Sequence, residues 1–263
     1  ARLARGRAEL NRVPVLSEQL RQAAVVAAFS GDLTADWRFA NVEEPISRDQ
    51  CAAAYERVAG RKRKKPAAAI EWQPAIALPP TWRWASVDEV VGLVQYGTSA
   101  KTSSGSQGFP VLRMGNIQRG ELDWANLKYL PADHGEFPDL LLSEGDVLFN
   151  RTNSAALVGK SAVFRASQHA ASFASYLIRV RCSAILPDLL ARYLNSPFGR
   201  AWVGRAASQQ VGQANVNGSK LKSLGIPLPP TGEQAEMVRR IETAFARADR
   251  LAAEAARARA LLG

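Results

Sequence analysis

The chain has 263 residues, which is enough for one large domain with an extension or for two small domains. An apolar share of 47% is ordinary for a globular protein, whereas a formal charge of +10 favours a polyanionic partner. No apolar run has the length needed to span a bilayer and no signal-peptide pattern is present, so nucleic acid is a better partner than a membrane.

The positive charge is concentrated in one third of the chain. Residues 147–230 contain ten basic side chains and a single acidic one, Asp188. Two cysteines, Cys51 and Cys182, and two histidines show no metal-ligand spacing, so no metal site is predicted and the expected compartment is the reducing cytoplasm.

Residues 1–29 have the pattern of a helix that packs on another helix. Apolar or small residues alternate at spacings of three and four, as in a coiled-coil seam. The seam consists of Leu3, Gly6, Leu10, Val13, Ser17, Leu20, Ala24 and Ala27. Pro14 predicts a kink or a fresh helix start near Val13, and Ser30–Gly31 should end the helix. Because the chain starts at Ala1 inside this pattern, without a Met, we expect it to be part of a longer product.

Residues 32–77 are predicted to be a linker. Ser47–Val58 should form a short helix that begins with a capping box between Ser47 and Gln50. The basic run at residues 61–65 is typical of an exposed, flexible tether that would follow phosphates if DNA lay nearby.

Residues 78–230 indicate a compact, mixed α/β domain with an irregular sheet. The predicted strands are Pro110–Ile117, Asp146–Asn150, Val158–Phe164 and Tyr176–Arg181. A helix should follow at Leu189–Arg205, with an interruption near Pro197.

A second long helix is predicted at residues 231–263, with Thr231 as N-cap and Gln234 as its capping-box partner. Its seam consists of Met237, Ile241, Ala244, Ala248, Leu251, Ala255, Ala258 and Leu262. A strict 3.5-residue repeat implies a supercoiling partner, and the helix at 1–29 is the obvious one. The alternative is an amphipathic helix packed on the globular core.

The sequence carries no pattern for catalysis. No Gly-rich phosphate loop follows a strand, and the Asn/Asp-Pro-Pro-aromatic signature of amino-methyltransferases is absent. Pro138–Asp139 with Glu144 and Asp146 is close to a nuclease pattern but lacks its lysine, and no motif spacing nominates Ser154, Ser208 or Ser219 as a nucleophile. We therefore predict a non-catalytic protein.

Residues 206–234 join a polar, cationic loop to the second long helix. Asn and Gln side chains can pair bidentately with adenine, while lysines and backbone N–H groups hold phosphates. The alternative is a solvated surface loop that ends in a turn.

Seven ordered segments resemble the specificity subunit of type I restriction–modification enzymes. They are LPPTW (78–82), YGTSAKT (96–102), FPVLRMGNI (109–117), GDVLFNRTNS with LVGKSAVF (145–164), SYLIRVR (175–181), YLNSPFGR (193–200) and NVNGSKLKSLGIPLPPTGEQ (215–234). Residues 15–37 also resemble the end of that family's central helix.

The resemblance implies a target-recognition domain at 78–230 between the central helix (1–31), a linker (32–77) and a closing helix (231–263), the two helices forming an antiparallel coiled-coil spacer. It also implies binding to one half of a bipartite DNA target and docking of methyltransferase and restriction subunits, which would carry S-adenosylmethionine, Mg²⁺ and ATP. This chain has one recognition domain where the family has two, so a homodimer through the helices is a further arrangement to test.

By the same resemblance, the reading loops are Thr98–Gln107, Asn150–Ser154 and Ser208–Lys220. Direct base readout would fall to Gln209, Gln210, Gln213, Asn215, Arg151 and Asn153. Phosphate contacts would fall to Lys101, Lys160, Lys220, Lys222 and Arg205. The alternative for Asn215, Asn217, Gly218 and Leu221 is a framework role that folds the loop, and core packing is expected for Trp82, Trp84, Trp124, Trp202 and Tyr176.

Two other functions fit the sequence. A coiled-coil interaction module could bind DNA through its positive face without sequence preference. The chain could also be the recognition part of a single-chain restriction–methylation enzyme, which methyltransferase motifs upstream of Ala1 would favour.

Overall fold

The protein is described here by a computed structural model that covers residues 2–105, 107–154, 157–166, 170–210 and 213–261. The described helices are α1 (Arg2–Ser30), α2 (Ala35–Ala40), α3 (Arg48–Ala59), α4 (Val87–Val90), α5 (Pro187–Asn195), α6 (Pro197–Ala206), α7 (Gly218–Lys222) and α8 (Thr231–Leu261). A 3-10 turn spans Met114–Asn116.

The described strands are short. They are β1 (Arg83–Ser86), β2 (Val91–Tyr96), β3 (Phe109–Leu112), β4 (Ile117–Gln118), β5 (Glu121–Leu122), β6 (Lys128–Leu130), β7 (Val147–Asn150), β8 (Thr152–Asn153), β9 (Ser161–Val163), β10 (Ser172–Phe173), β11 (Leu177–Cys182), β12 (Ser208–Gln210), β13 (Gln213–Asn215) and β14 (Gly225–Leu228). Instead of one irregular sheet, they form several small ones, and the mixed α/β class is confirmed.

The central sheet has the order β2-β11-β7-β9, and all of its neighbours are antiparallel. Alternate residues of a strand face opposite sides, and both sides of this sheet are covered. Val147 and Phe149 belong to the larger hydrophobic core, whereas Leu148 belongs to a second core. The β-prone run Asp146–Asn150 is therefore apolar at its first three strand positions, Val147–Phe149, because β7 is buried on both faces.

Three smaller sheets surround the central one: β1 with β14, β10-β3-β6, and β12-β13-β8. β4 and β5 form a hairpin. The predicted helix at 189–205 is confirmed as α5 and α6, which meet at Ser196–Pro197. Ser196 caps α6 by accepting a hydrogen bond from the N–H of Gly199.

α1 and α8 reach the larger core with their inner ends. Phe29 of α1 packs edge-on against Tyr193 of α5, with ring centroids 5.0 Å apart, and Met237 and Ile241 of α8 are fully buried. Farther out, Arg21 forms an ion pair with Asp249, and Arg259 donates a hydrogen bond to Asn11. Residue numbers thus rise along one helix as they fall along the other.

The predicted fresh start near Val13 is wrong, because α1 continues through Pro14 to Ser30. A proline inside a helix loses one backbone hydrogen bond and costs about 3 kcal/mol. Contacts with α8 on both sides of Pro14, at Asn11 and at Arg21, help to offset that cost. The predicted end of the helix is confirmed, since Gly31 follows Ser30 with φ +87°.

A buried carboxylate fastens the helix pair to the globular part of the chain. Glu233, on the first turn of α8, is 1% exposed. It accepts hydrogen bonds from the Thr34 hydroxyl at 2.6 Å, the Arg38 Nε at 3.0 Å and the Trp82 Nε1 at 2.6 Å. The three donors come from the segment after α1, from α2 and from the start of the domain, so one side chain joins all of these elements.

The capping box predicted at the start of α8 is wrong. Gln234 uses its side chain elsewhere: its oxygen accepts from the Leu186 N–H, and its amide donates to the Ala184 and Pro229 carbonyls. Glu43, from the linker, instead accepts the Glu233 N–H at 3.1 Å. A carboxylate at this position also interacts favourably with the helix dipole.

Arg240 of α8 ties α2 to the helix pair. It donates to Asp36 at 2.5 Å and to Glu236 at 2.6 Å. Hydrogen bonds from Arg239 and Arg240 hold the pKa of Glu236 at about 2. Glu236 therefore stays ionised far below the ordinary range of a glutamate.

Part of the predicted linker is anchored to the domain. The capping box of Ser47 and Gln50 is confirmed at the start of α3. Arg63, from the basic run, stacks on the Tyr55 ring at 3.9 Å and pairs with Asp88 at 3.0 Å. The prediction of a free tether is therefore wrong for Arg63, because Asp88 and the Tyr55 ring hold its guanidinium against the domain.

Candidate nucleic-acid interface

Two of the three predicted reading loops meet at the sheet β12-β13-β8. β13 pairs with β12, where Gln209 lies opposite Ala214, and with β8, where Asn153 lies opposite the same Ala214. β8 directly follows β7 of the central sheet, so a rigid strand positions this small sheet. Ala214 is buried and fixes the sheet to the larger core.

Arg151 lies at the centre of the polar side chains around this sheet. Its Nη1 donates to the Ser175 carbonyl and its Nη2 to Asn215 Oδ1, both at 3.3 Å. Its Cζ lies 4.9 Å from the centroid of the Tyr96 ring, within the range of a cation–π contact. Arg151 is thus held by two acceptors and an aromatic face.

The framework alternative holds for Asn217 and Gly218. Asn217 is the N-cap of α7 and accepts the Lys220 N–H at 2.9 Å. Gly218 donates its N–H to the Tyr96 hydroxyl at 2.7 Å, and a Cβ at this position would lie 3.2 Å from that oxygen. Leu221 is fully buried, which fits the same role.

Two of the predicted phosphate-binding lysines already have partners within the protein. Lys220 donates to the Ala206 carbonyl at 2.6 Å. Lys222 lies 3.3 Å from Asp88, the carboxylate that also pairs with Arg63. These contacts direct both ammonium groups toward the domain and neutralise part of the charge of Lys222.

The remaining predicted phosphate contacts differ in exposure. Lys101 and Arg205 are exposed, and Lys160 is half-buried beside the turn that precedes β9. The loop that holds Lys101 pairs through Ser103 with Tyr129 of β6. Its first residue, Thr98, accepts the Ser175 N–H, which places that end of the loop beside the acceptor of Arg151.

Four predicted base-reading side chains lie outside the described part of the structure. They are Asn153, Gln209, Gln210 and Gln213, whose backbone alone is described, in β8, β12 and β13. Their roles remain predictions.

Part of the positive charge of residues 147–230 serves the fold. Asp146 is fully buried and pairs with Arg181 at 2.8 Å and with Arg179 at 3.6 Å. The hydrogen bond with Asp146 raises the pKa of Arg181, whereas burial lowers the pKa of Arg179. Arg165 pairs with Asp188 and Glu144. The charge excess therefore overstates what this surface offers to a ligand.

Sequence reasoning missed two exposed aromatic residues beside Arg151. Tyr96 is 43% exposed and Tyr176 is 47% exposed. Core packing is confirmed for Trp82 and Trp202 but is wrong for Tyr176, which lies in the turn before β11. The available signal was position: each tyrosine is at a strand end next to a polar segment, where a ring can meet a ligand.

No helix in the described ranges combines the length and hydropathy needed to cross a bilayer. Among the same residues, no cluster of three or more His, Cys, Asp or Glu side chains could hold a metal ion.

A half-buried arginine in contact with an exposed tyrosine ring, together with polar strands and exposed cations, is typical of a nucleic-acid-binding protein. The comparisons with known proteins agree with this class. The chain belongs to the family of type I restriction modification DNA specificity domains, whose family model matches residues 81–255.

Curated relatives are type I specificity subunits. The EcoKI specificity subunit of Escherichia coli K12 is 27% identical over 246 residues, which cover 92% of this chain and 46% of the relative. The putative MjaX specificity subunit of Methanocaldococcus jannaschii is 27% identical over 168 residues, which cover 62% of this chain and 39% of the relative. The chain thus spans about half the length of the EcoKI subunit and a smaller share of the MjaX subunit.

Solved structures share the fold. The HsdS subunit from Thermoanaerobacter tengcongensis matches 97% of this chain and 55% of its own, with a TM-score of 0.50 and 19% identity. A chain from a study of assembly and conformational transition of the type I R-M system matches 98% of this chain and 56% of its own, with a TM-score of 0.56 and 19% identity.

Proposed function

We propose that this chain is the DNA sequence-recognition part of a type I restriction–modification complex and binds one half of a bipartite DNA target. The observation that carries the proposal is the family match over residues 81–255, which includes β8, β12, β13 and the Arg151 cluster. Its relatives are named specificity subunits, and we assign the chain no catalytic role.

The division of labour within the site follows from exposure. Lys101, Arg205 and Lys160 hold phosphates, while side chains on and beside the small sheet read bases. Lys220 and Lys222 contribute less, because their ammonium groups contact Ala206 and Asp88. Phosphate contacts position a protein on DNA, and base contacts supply specificity.

The two long helices form an antiparallel coiled-coil spacer in this proposal. Contacts at Arg21–Asp249 and Asn11–Arg259 support it, as do the buried seam residues Ala24 and Ala248, whereas the seam residues Leu20 and Leu251 are 38% and 45% exposed. The resulting domains are the central helix (1–31), the linker (32–77), the recognition domain (78–230) and the closing helix (231–263).

Docking of a methyltransferase subunit is assigned to the helix pair. Apolar side chains remain exposed along it: Val15 at 61%, Leu16 at 51% and Leu251 at 45%. Such a strip is typical of an interaction surface. Restriction subunits join the same complex in the cytoplasm, and the partners supply S-adenosylmethionine, Mg²⁺ and ATP. A homodimer through the helices would cover the same strip, and light scattering of the chain alone and with the methyltransferase subunit separates the two arrangements.

The experiment mixes the chain with the methyltransferase subunit of its own restriction system and a randomised duplex library at physiological salt. Retained DNA is sequenced. We expect an enriched motif of about three to five base pairs. Retention without any motif would contradict the proposal and favour a DNA-binding module without sequence preference.

A further inference from the structure

We propose, building on the proposed function, that Arg151 reads a guanine in the major groove and that Tyr96 and Asn215 position its guanidinium. Arginine paired with guanine O6 and N7 is the commonest specific contact in the major groove. It requires a guanidinium whose plane and direction are fixed before DNA arrives.

The backbone of Arg151 is fixed first. Its N–H donates to the Tyr176 carbonyl at 3.0 Å, and its carbonyl accepts the Val216 N–H at 2.9 Å. These bonds tie the residue to the turn before β11 on one side and to the end of β13 on the other. The Cα of Arg151 therefore has little freedom to shift.

The side chain is fixed next. Tyr96 supports one face of the guanidinium, and the hydroxyl of this tyrosine is held by the Gly218 N–H at the start of α7. Nη1 of Arg151 donates one hydrogen bond to the Ser175 carbonyl, and Nη2 donates one to Asn215 Oδ1. Each terminal nitrogen of an arginine carries two N–H groups, so both nitrogens have a second donor for a ligand.

Side chains of this cluster are accessible to solvent. Arg151 is half-buried, the Tyr96 ring against its guanidinium is 43% exposed, and Tyr176, whose carbonyl accepts the Arg151 N–H, is 47% exposed. A planar guanidinium held at the solvent-exposed surface presents paired N–H donors that match the two acceptors of one guanine, O6 and N7. Phosphate holding needs only charge and reach, which the exposed Lys101 and Arg205 already supply.

Asn215 takes a different role from the one predicted by resemblance. Reading adenine requires both the oxygen and the amide nitrogen of an asparagine. The oxygen of Asn215 accepts from Arg151, which commits one of its two lone pairs and orients the side chain toward the arginine, so we assign Asn215 a positioning role. The base preference of the site then depends on Arg151.

The test repeats the library selection, in complex with the methyltransferase subunit, for the wild-type chain and four variants, one of which is Tyr96→Phe. Arg151→Lys keeps the charge but removes the fork. Arg205→Ala removes an exposed cation assigned to phosphate, and Arg250→Lys is the matched arginine control on the exposed face of α8. Guanines of the selected site are then replaced one at a time by 7-deazaguanine, which lacks the N7 acceptor.

We expect the wild-type motif to contain one guanine whose preference falls about 5- to 150-fold in Arg151→Lys, with the other positions unchanged. 7-Deazaguanine at that position should weaken the wild-type chain more than it weakens Arg151→Lys, whose ammonium lacks the planar fork. Tyr96→Phe, which loses the hydroxyl contact with Gly218, should reduce discrimination at the same guanine only. Arg205→Ala should weaken all sequences equally, and Arg250→Lys should match the wild type.

Uniform weakening by Arg151→Lys with an unchanged motif would assign Arg151 to a phosphate and overturn the inference. A wild-type site insensitive to 7-deazaguanine at every guanine would also overturn it, and this measurement needs no variant to fold. In both cases an enriched wild-type motif leaves the proposed function intact. A wild-type chain that enriches no motif refutes the proposed function and the inference together.

Discussion

Replacing Glu233 by Gln tests whether one buried carboxylate fastens the long helices to the recognition domain. The change preserves shape but removes the charge opposite Arg38, whose side chain is 18% exposed. The new amide would also point its own N–H groups toward Trp82 or Thr34, which are donors in the native structure. Hydrogen bonds to charged groups contribute about 1.5–3 kcal/mol, and breaking a buried pair costs about 3–5 kcal/mol. We expect a loss of about 3 kcal/mol in the free energy of unfolding.

Urea unfolding followed by tryptophan fluorescence and by circular dichroism measures this loss. With a slope of about 3 kcal/mol per molar urea, the midpoint should fall by about 1 M. Glu254→Gln, an exposed position on the same helix, is the control and should change stability by less than about 0.5 kcal/mol. If Glu233→Gln unfolds at the same urea concentration as the control, the carboxylate does not fasten the helices.

Three further perturbations have definite expected results. The folded pKa of Glu236 is about 2, so its stabilising contribution is present above the ordinary value of 4.5 and is lost as the pH falls toward 2. The melting temperature of Glu236→Gln should therefore fall less than that of the wild type between pH 4.5 and pH 2. Gly108→Ala should destabilise by more than about 1 kcal/mol in thermal melts, since φ is +93° and a Cβ would lie 1.9 Å from a backbone oxygen, whereas Gly115→Ala meets open space; equal melting temperatures would refute this. In salt titrations, Arg205→Ala should lower the slope of the logarithm of the DNA-binding constant against the logarithm of the salt concentration by about one. Lys222→Ala should lower it by much less, because Lys222 is paired with a carboxylate. Equal slopes for the two variants would contradict that assignment.

Local signals in the sequence predicted the helices well. Ser47 and Gln50 form the expected capping box because both partners lie within one turn of the same helix. Gln234 had the same local pattern, yet its side-chain oxygen accepts the Leu186 N–H. The N–H of Glu233, on the first turn of α8, donates to Glu43, which lies 190 residues earlier in the sequence. Such partners depend on the tertiary packing, which no local pattern records.

The candidate site was predictable in place but only partly in composition. Polar loop residues marked the segments that β8 and β13 bring together. Tyr176 was assigned to the core because aromatic residues are usually buried, whereas its position in a tight turn leaves it half exposed. Arg179 and Arg181 were part of the charge excess that favoured a polyanionic partner, although both pair with a buried aspartate.

The contacts of Glu233 have a consequence for protein engineering. The carboxylate lies on α8, whereas its partner Trp82 lies 151 residues earlier in the sequence, just before β1. A transplanted recognition domain that lacks a matching indole would leave the recipient helix with a buried, under-satisfied charge. Junctions placed after Trp82 and before Glu233 keep this pair in the recipient scaffold, and grafts made there should retain their orientation relative to the helices.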